Sequence, residues 1–276
     1  MPELPEVETI VRQLKPHILA QKICNVVIFR ANQWKGKTPQ EAINILVNNS
    51  FANICRRAKF IIFELNNGWR LIIHLRMSGK LIRTESWAPL DKYSRSIFYF
   101  ENKTSMQFND TRALGTLEIV QPGLQPECLK KLGIEPLGDQ FKIDLLNRLL
   151  SKSRLEIKDF LMDQKRIAGI GNIYANEILF HCGIHPKRAT NSLNPTETEK
   201  LYRIIPQILR AAIANMGTTI GKKASDYRTV YNIDGDFQEF LKVYGRKNEP
   251  CYNCGTPITR IVQKGRSSYC CDKCQN

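Results

Sequence analysis

Apolar residues recur at helical spacing from the start of the chain. Leu4, Val7, Val11, Leu14 and Ile18 fall on one face, and Glu3, Glu6 and Glu8 crowd the positive N-terminal end. The pattern predicts an amphipathic N-terminal helix. The period then shortens. Lys59 to Leu65 and Trp69 to His74 read as strands on either side of Asn66-Asn67-Gly68, a hairpin turn. Ser96 to Phe100, Ser105 to Phe108 and Leu114 to Val120 follow as short strands. Together these predict a β-sandwich or barrel behind an N-terminal helix. A stretch rich in proline and glycine, Gln121 to Gly138, marks a boundary. Beyond it the pattern is helical: Lys142 to Leu150, Ile157 to Met162, Asn172 to Cys182 and Pro195 to Met216. Two helices joined by a glycine-containing turn suit a grip on DNA. Gly217 to Phe237 has no period, and a loop of that length in a compact domain is functional or disordered. A cysteine-bearing module closes the chain.

Composition narrows the partner. The 276 residues are 42% hydrophobic, enough for one large or two smaller domains. The formal net charge is +15, which points to a polyanion. No apolar run approaches the ~20 residues of a membrane span, and charges at Glu3, Glu6 and Glu8 precede any apolar signal core. These observations predict a cytoplasmic protein with no membrane partner. Of nine cysteines, five (Cys24, Cys55, Cys128, Cys182 and Cys270) are scattered, unlike a secreted disulfide framework.

Four motifs carry candidate chemistry, with a helix-opening asparagine beside them. Cys251-x2-Cys254-x16-Cys271-x2-Cys274 brings two thiolate pairs to one tetrahedral ion, with a β-hairpin spanning the gap. Four thiolates leave no open position, so the implied Zn2+ is structural. Cys270 blurs the register, but its use would give a poorer CxxxC pair. Arg260, Lys264, Gly265 and Arg266 lie in that hairpin, with Arg266 as a groove probe or generic phosphate contact. The second motif is Pro2-Glu3. With Met1 removed, Pro2 carries a secondary amine whose pKa near ~8 leaves a nucleophilic fraction at neutral pH, unlike lysine near ~10.4. An amine beside a carboxylate is the minimal kit for Schiff-base chemistry at a sugar C1′; Pro-Glu also simply suits a first helical turn. Arg56-Arg57-Ala58-Lys59 is either a solvated strand entry or a phosphate contact with Lys59 in a cleft. His74-Leu75-Arg76-Met77-Ser78-Gly79 ends a strand, and Met77 is either core or an apolar wedge for a base stack. Asn172, opening a helix after Ile170-Gly171, reads as an N-cap or as part of a phosphate site.

Taken together these pieces resemble the formamidopyrimidine-DNA glycosylase family (Fpg, or MutM) from Pro2 to Gln275. The anchors are Pro2-Glu3-Leu4-Pro5-Glu6-Val7-Glu8-Thr9, Arg57-Ala58-Lys59, His74 to Gly79, Leu161-Met162-Asp163-Gln164, Gly169 to Ala175, Gly183-Ile184-His185-Pro186, Val243-Tyr244-Gly245-Arg246 and the cysteine module. The resemblance implies a multi-domain α+β chain: an N-terminal catalytic β-sandwich with its helix over 1–135, a helical DNA-binding domain with a helix–two-turns–helix motif over 136–240, and a zinc finger over 241–276. It implies a monomer that acts on double-stranded DNA containing oxidised bases. Members flip an oxidised purine out of the duplex, because the reacting atom is unreachable inside the stack. Pro2 would attack C1′ and displace the base, Glu3 would protonate the opened sugar, and β- then δ-elimination would cut the strand. Lys59 and Arg266 match the family's phosphate-gripping lysine and hairpin arginine, which serve the catalytic centre. Asn172 matches a phosphate ligand, Arg154 and Lys158 fall in the basic stretch before it, and His74 lies in the DNA-facing motif. Glu6 and Glu177 match further acidic positions of the site.

Met77 and Arg112 match two of three residues that fill the hole left by the flipped nucleotide. The third is usually a phenylalanine in Asp-Pro-Arg-Arg-Phe-Gly. This chain has Asp110-Thr111-Arg112-Ala113-Leu114-Gly115, so Leu114 is the expected wedge. Tyr93 stands where a DNA-contacting histidine is common, and Cys270 stands where an aromatic residue usually precedes the third zinc ligand. Two other functions are compatible with parts of the pattern: an endonuclease VIII-type glycosylase for oxidised pyrimidines, and a non-catalytic zinc-containing DNA-binding protein. Val7-Glu8-Thr9 and the Met77-Ser78-Gly79 turn favour the purine branch; Pro2, Glu3 and Lys59 together argue for catalysis.

Overall fold

The computed structural model describes residues 2–221 and 223–276. Met1, whose removal the amine chemistry requires, lies outside the described residues. The chain divides into two compact units, one comprising Met1–Lys130 with Asn215–Gln238, the other Lys131–Ala214 with Glu239–Asn276.

The first unit begins with helix α1 (Leu4–Ile18), whose apolar face is buried as its spacing predicts. Two sheets follow. One has five strands in the order β2 (Trp34–Lys35), β9 (Thr116–Val120), β5 (Arg70–His74), β4 (Phe60–Leu65) and β3 (Phe51–Arg57). The other has four, in the order β1 (Ile23–Ile28), β7 (Ser94–Phe100), β8 (Thr104–Asp110) and β6 (Gly79–Glu85). Their facing apolar residues form one core with α1, including Leu14, Phe51, Phe63, Phe98, Met106 and Phe108. Phe51 touches the rings of Phe63 in its own sheet and of Phe98 in the other, at centroid distances of 4.8 and 6.5 Å. The sandwich and its helix are as the sequence predicts, and the Asn66–Gly68 hairpin turn joins β4 to β5 with Gly68 at φ +82°. Helix α2 (Pro39–Leu46), capped by Thr38 and Glu41, packs near β1.

One strand starts later than expected. The extended run predicted from Leu114 begins only at Thr116. Ala113 sits at φ +52°, outside extended backbone, and the Gly115 N–H donates to the Asp110 carboxylate at 2.8 Å, which holds residues 110–115 as a loop.

The single turn α3 (Glu127–Lys130) closes the first segment of the first unit; in the second unit helices α4 (Ile143–Ser151), α5 (Ile157–Met162), α6 (Asn172–Cys182) and α7 (Pro195–Ala214) precede the hairpin of β10 (Thr259–Gln263) and β11 (Arg266–Cys270). Helix α7 stops two residues short of the predicted Met216, which takes φ +55°. Helix α6 contacts α5, α7 and β11, so the helical part and the hairpin share one framework.

Candidate nucleic-acid interface and catalytic N-terminus

The N-terminus of α1 is buried. Pro2 is enclosed and Glu3 is 2% exposed, at the cap of the helix. The Glu3 N–H donates to Glu6 Oε2 at 2.7 Å, and the Thr218 N–H donates to Glu6 Oε1 at 2.8 Å. Glu6 thus ties the N-terminal residues to the base of the Gly217–Phe237 loop. A Cβ on Gly217 would stand 2.8 Å from Glu6 Oε1, so this approach requires glycine as well as its φ of +78°. Tyr227 and Gln13 hold the loop further: the Tyr227 hydroxyl donates to the Met216 carbonyl at 3.1 Å, and the Val230 N–H donates to Gln13 Oε1 at 3.3 Å. Burial, and then the charge of Glu6, push the Tyr227 hydroxyl well above its ordinary pKa, so it stays a neutral donor.

Helix α1 packs against β3 and β4 and is clamped there by Glu8, which binds Arg56 Nε and Arg12 Nε at 2.8 Å each. Burial opposes ionisation of Glu8, but the two guanidinium groups outweigh it and hold the carboxyl below the ordinary range. Arg56 also donates to the Ala58 carbonyl at 3.1 Å, fixing the β3–β4 turn in which Ala58 takes φ +53° and Lys59 is 7% exposed. Lys59 is therefore a buried cation in a clamped turn rather than a solvated strand entry.

Strand register gathers the other candidates at this end of the sandwich. His74 pairs with Phe60 and with Thr116, and Gly79 pairs with Asp110. The starts of β4, β6 and β9 and the ends of β5 and β8 therefore coincide. His74 packs edge-on against Phe60 and accepts the Arg76 N–H at Nδ1, 3.0 Å away. Burial first, then the charges of Arg76 and Lys59, lower its pKa to about 3, so the imidazole is neutral at physiological pH.

Met77 is 45% and Leu114 48% exposed, so both apolar side chains are open to a partner. The guanidinium of exposed Arg112 donates to Met77 Sδ at 3.5 Å. Both turns hang on Asp110. Its carboxylate accepts Ser78 Oγ at 2.5 Å, the Arg112 N–H at 3.2 Å, the Gly115 N–H at 2.8 Å and Gln33 Nε2 at 3.1 Å. Sequence reasoning assigned no role to Asp110 or Ser78. The signal was there, since Asp and Ser flanking short turns commonly bind backbone N–H groups. Tyr93 lies at the same end. Its carbonyl accepts the Asp110 N–H at 3.0 Å, and the Lys92 and Arg95 cations sit 5.1 and 6.0 Å from its ring.

In the second unit Arg266 is exposed at the first position of β11, after the Lys264-Gly265 turn. Two expected DNA contacts support this hairpin from beneath. Lys158 is 1% exposed, and its Nζ donates to the Ser267 carbonyl at 2.8 Å and to Ser268 Oγ at 2.6 Å. Its place on the inner face of α5 takes the ammonium to the hairpin and not to solvent. Asn172 is not the N-cap; Gly171 is, and Asn172 Nδ2 instead donates to the Ser267 carbonyl at 3.1 Å. Its Oδ1 is buried without a hydrogen-bond partner among the described residues. Arg154 is exposed just before α5. Glu177, expected as an acidic site residue, is 1% exposed and spends its carboxylate on the N–H groups of Lys242, Val243 and Tyr244 at 2.8–3.0 Å. It is an anchor for the segment leading to the cysteine module.

The four predicted cysteines converge. Cys251 and Cys274 Sγ are 3.9 Å apart, Cys254 and Cys271 Sγ 3.4 Å, and all four sulfurs lie within 4.8 Å of one another. A zinc with Zn–S bonds of ~2.3 Å sets its sulfurs about 3.8 Å apart, so the side chains fit the ion. The crowded thiols split in acidity: hydrogen bonds from Thr256 pull Cys254 down to about 6, while the hydrogen bond with Cys254 and then burial push Cys274 up to about 12. The four-cysteine set leaves the ion a structural role beside the Arg266 hairpin.

A sandwich with a helix that opens on a buried Pro-Glu pair, and with a buried lysine and exposed Met77, Arg112 and Leu114 at one end, joined in one chain to a four-cysteine module with a basic hairpin, defines a DNA-repair glycosylase class of protein. Three family models match the chain in sequence: the formamidopyrimidine-DNA glycosylase N-terminal domain over residues 1–117, the formamidopyrimidine-DNA glycosylase H2TH domain over 132–224, and the zinc finger found in FPG and IleRS over 248–276. Formamidopyrimidine-DNA glycosylases of Desulfitobacterium hafniense and Herpetosiphon aurantiacus are 42% and 37% identical, each aligned over 100% of both chains. Among solved structures, a Lactococcus lactis Fpg mutant in complex with Fapy-dG-containing DNA is 35% identical with a TM-score of 0.92 over 99% of each chain. MutM (Fpg) from Thermus thermophilus is 34% identical with a TM-score of 0.89, over 99% of this chain and 98% of that one. The chain belongs to the formamidopyrimidine-DNA glycosylase family. None of its described helices is long and apolar enough to cross a membrane.

Proposed function

We propose that this protein is a bifunctional DNA glycosylase and AP lyase of base excision repair that removes oxidised purines, 8-oxoguanine and formamidopyrimidines, from double-stranded DNA. The observation that carries the reading is the buried Pro2-Glu3 pair, held by Glu6, in the unit that also places Lys59, His74, Met77, Arg112 and Leu114 at one end of its sandwich.

The target nucleotide is extruded, and Met77, Arg112 and Leu114 occupy the space it leaves. The Pro2 amine attacks C1′ as the bond to the base breaks, and the proton lost from the amine leaves with the base. Glu3 then protonates the ring oxygen; the C1′–O bond breaks, the sugar opens, and the nitrogen lone pair completes an iminium between Pro2 and C1′. The iminium acidifies the C2′ proton; its loss expels the 3′ phosphate, and a second elimination expels the 5′ phosphate. Lys59 and Arg266 hold phosphates that flank the lesion, and Arg154 adds positive charge along the strand. Lys158 and Asn172 act through the hairpin, by fixing the Ser267 backbone beside Arg266. The Gly217–Phe237 loop, anchored at Glu6, covers the extruded base. In functional terms the chain has three parts, a catalytic sandwich over 1–135, a helical grip over 136–240 and a zinc finger over 241–276. The protein works as a monomer in the bacterial cytoplasm, where chromosomal DNA is its substrate.

Single-turnover excision on matched duplexes tests the reading. Cleavage of 8-oxoguanine and formamidopyrimidine duplexes, with phosphate on both sides of the gap, is the expected result. Faster cleavage of an oxidised-pyrimidine duplex would place the chain in the endonuclease VIII branch, and binding without cleavage of any lesion would make it a non-catalytic DNA-binding protein.

A further inference from the structure

A second cluster of metal-binding side chains lies outside the four-cysteine site. Cys270, the last residue of β11, is completely buried, and its Sγ is 3.7 Å from His185 Nε2 and 3.5 Å from Asp272 Oδ1. The three ligand atoms all lie within 4.8 Å of one another. A tetrahedral zinc with bonds of ~2.3 Å to sulfur and ~2.1 Å to nitrogen or oxygen sets such atoms roughly 3.5 Å apart. The cluster meets that spacing as closely as the zinc-finger sulfurs do at 3.4 and 3.9 Å.

We propose that His185, Cys270 and Asp272 form a second site for a thiophilic divalent ion of the Zn2+, Co2+ or Cd2+ type, with three protein ligands and a fourth position for water. The donor set is one thiolate, one imidazole and one carboxylate, which suits such ions and not Mg2+ or Ca2+. Thiolate and carboxylate together neutralise a 2+ charge. Hydrogen bonds from outside the cluster hold Asp272 and the His185 turn in place, as they do around established metal sites. Thr259 Oγ1 donates to Asp272 Oδ2 at 2.7 Å, on the oxygen not facing Cys270. The His185 turn is tied to the end of the chain by its own N–H to the Asn276 carbonyl at 3.0 Å, and by Gln275 Nε2 to the Ile184 carbonyl at 2.9 Å. Asp272 is exposed, which gives an ion a way in.

Binding breaks the Cys270 S–H bond, forms a metal–sulfur bond and releases one proton to water. Without metal, His185 Nδ1 accepts the Lys187 N–H at 3.3 Å, so the neutral ring carries its proton on Nε2. Ligation through Nε2 moves that proton to Nδ1 and gives up this long contact. No electron is transferred. The cluster shares no ligand with the four-cysteine site, so the two sites are separate. An ion there would join the Gly183–Pro186 turn to the strand that begins with Arg266.

The test titrates full-length, zinc-loaded protein with Co2+, following thiolate-to-cobalt absorption and measuring both metals after gel filtration. Wild type is expected to keep its zinc and take up one cobalt with the intensity of a single thiolate. Cys270→Ala should lose that uptake, and His185→Gln and Asp272→Asn should weaken it about tenfold or more while retaining the zinc. Should Cys270→Ala fail to fold, the exposed Asp272→Asn carries the test. Saturation of wild type at its one zinc would overturn the proposal, as would cobalt uptake unchanged in both His185→Gln and Asp272→Asn.

Discussion

At position 114, the place proposed for the wedge, stands a half-exposed leucine, two residues from Arg112 and on a loop pinned by Asp110. Leucine can enter a base stack, but it cannot stack as a ring does. Leu114→Phe should therefore speed single-turnover excision of 8-oxoguanine or sharpen the choice of opposite base. No change in either would show that the wedge does not limit this enzyme. His74 gives a second prediction. Its pKa falls from 6.5 to about 3 in the folded protein, because burial and two neighbouring cations disfavour the imidazolium. Between those values the unfolded chain binds the extra proton, so stability rises with pH across the window and is complete above about 6.5. His74→Asn, whose Oδ1 still accepts the Arg76 N–H, should flatten the dependence of the thermal midpoint on pH between about 4 and 6.5; an unchanged slope would show that another group titrates. The four-cysteine cluster was legible in the sequence, because its chemistry follows from residue type and spacing; the chemistry proposed for Pro2 and Glu3 was suggested there by residue type alone. The roles of Lys158 and Asn172 were not legible. Both depend on Ser267, a partner 109 and 95 positions away that only the fold brings near.

At the scale of elements, helix α1 and the β4–β5 hairpin were plain from periodicity and turn residues. Helix α2 was overlooked although Thr38-Pro39-x-Glu41 is a capping signature. Strands β1, β3 and β6 were overlooked for a different reason. Their burial patterns are mixed, so neither clean alternation nor a continuous apolar run announces them. The start of β9 was misplaced because apolar Leu114 extends the strand pattern into a loop that Asp110 holds open. That carboxylate serves four donors from three segments. Asp110→Asn should cost on the order of 1–3 kcal/mol of stability and lower excision more than it lowers affinity for undamaged DNA. Equal excision in this variant would mean the wedge turns hold without it. The zinc-held hairpin makes a parallel prediction. Cys251→Ser should lose the ion and weaken DNA binding, since ion binding and folding of the module are coupled; full zinc retention would refute the ligand assignment.

The whole molecule joins a sandwich unit to a helical unit that carries the four-cysteine module and its basic hairpin, under a net charge of +15. Charge and the cysteine spacing announced a nucleic-acid partner, while the reaction itself rested on two residues at the start of the chain. Everything proposed for catalysis requires that Pro2 carry a free amine, and so that Met1 be removed. Borohydride trapping with a lesion-bearing duplex measures this directly, combined with mass spectrometry of the adduct's N-terminal peptide. The account predicts a covalent complex in which the DNA remnant is attached to Pro2 of a chain lacking Met1, and no complex with Pro2→Gly. An adduct formed by Pro2→Gly at the wild-type rate, or a remnant attached to a lysine in the wild type, would contradict it.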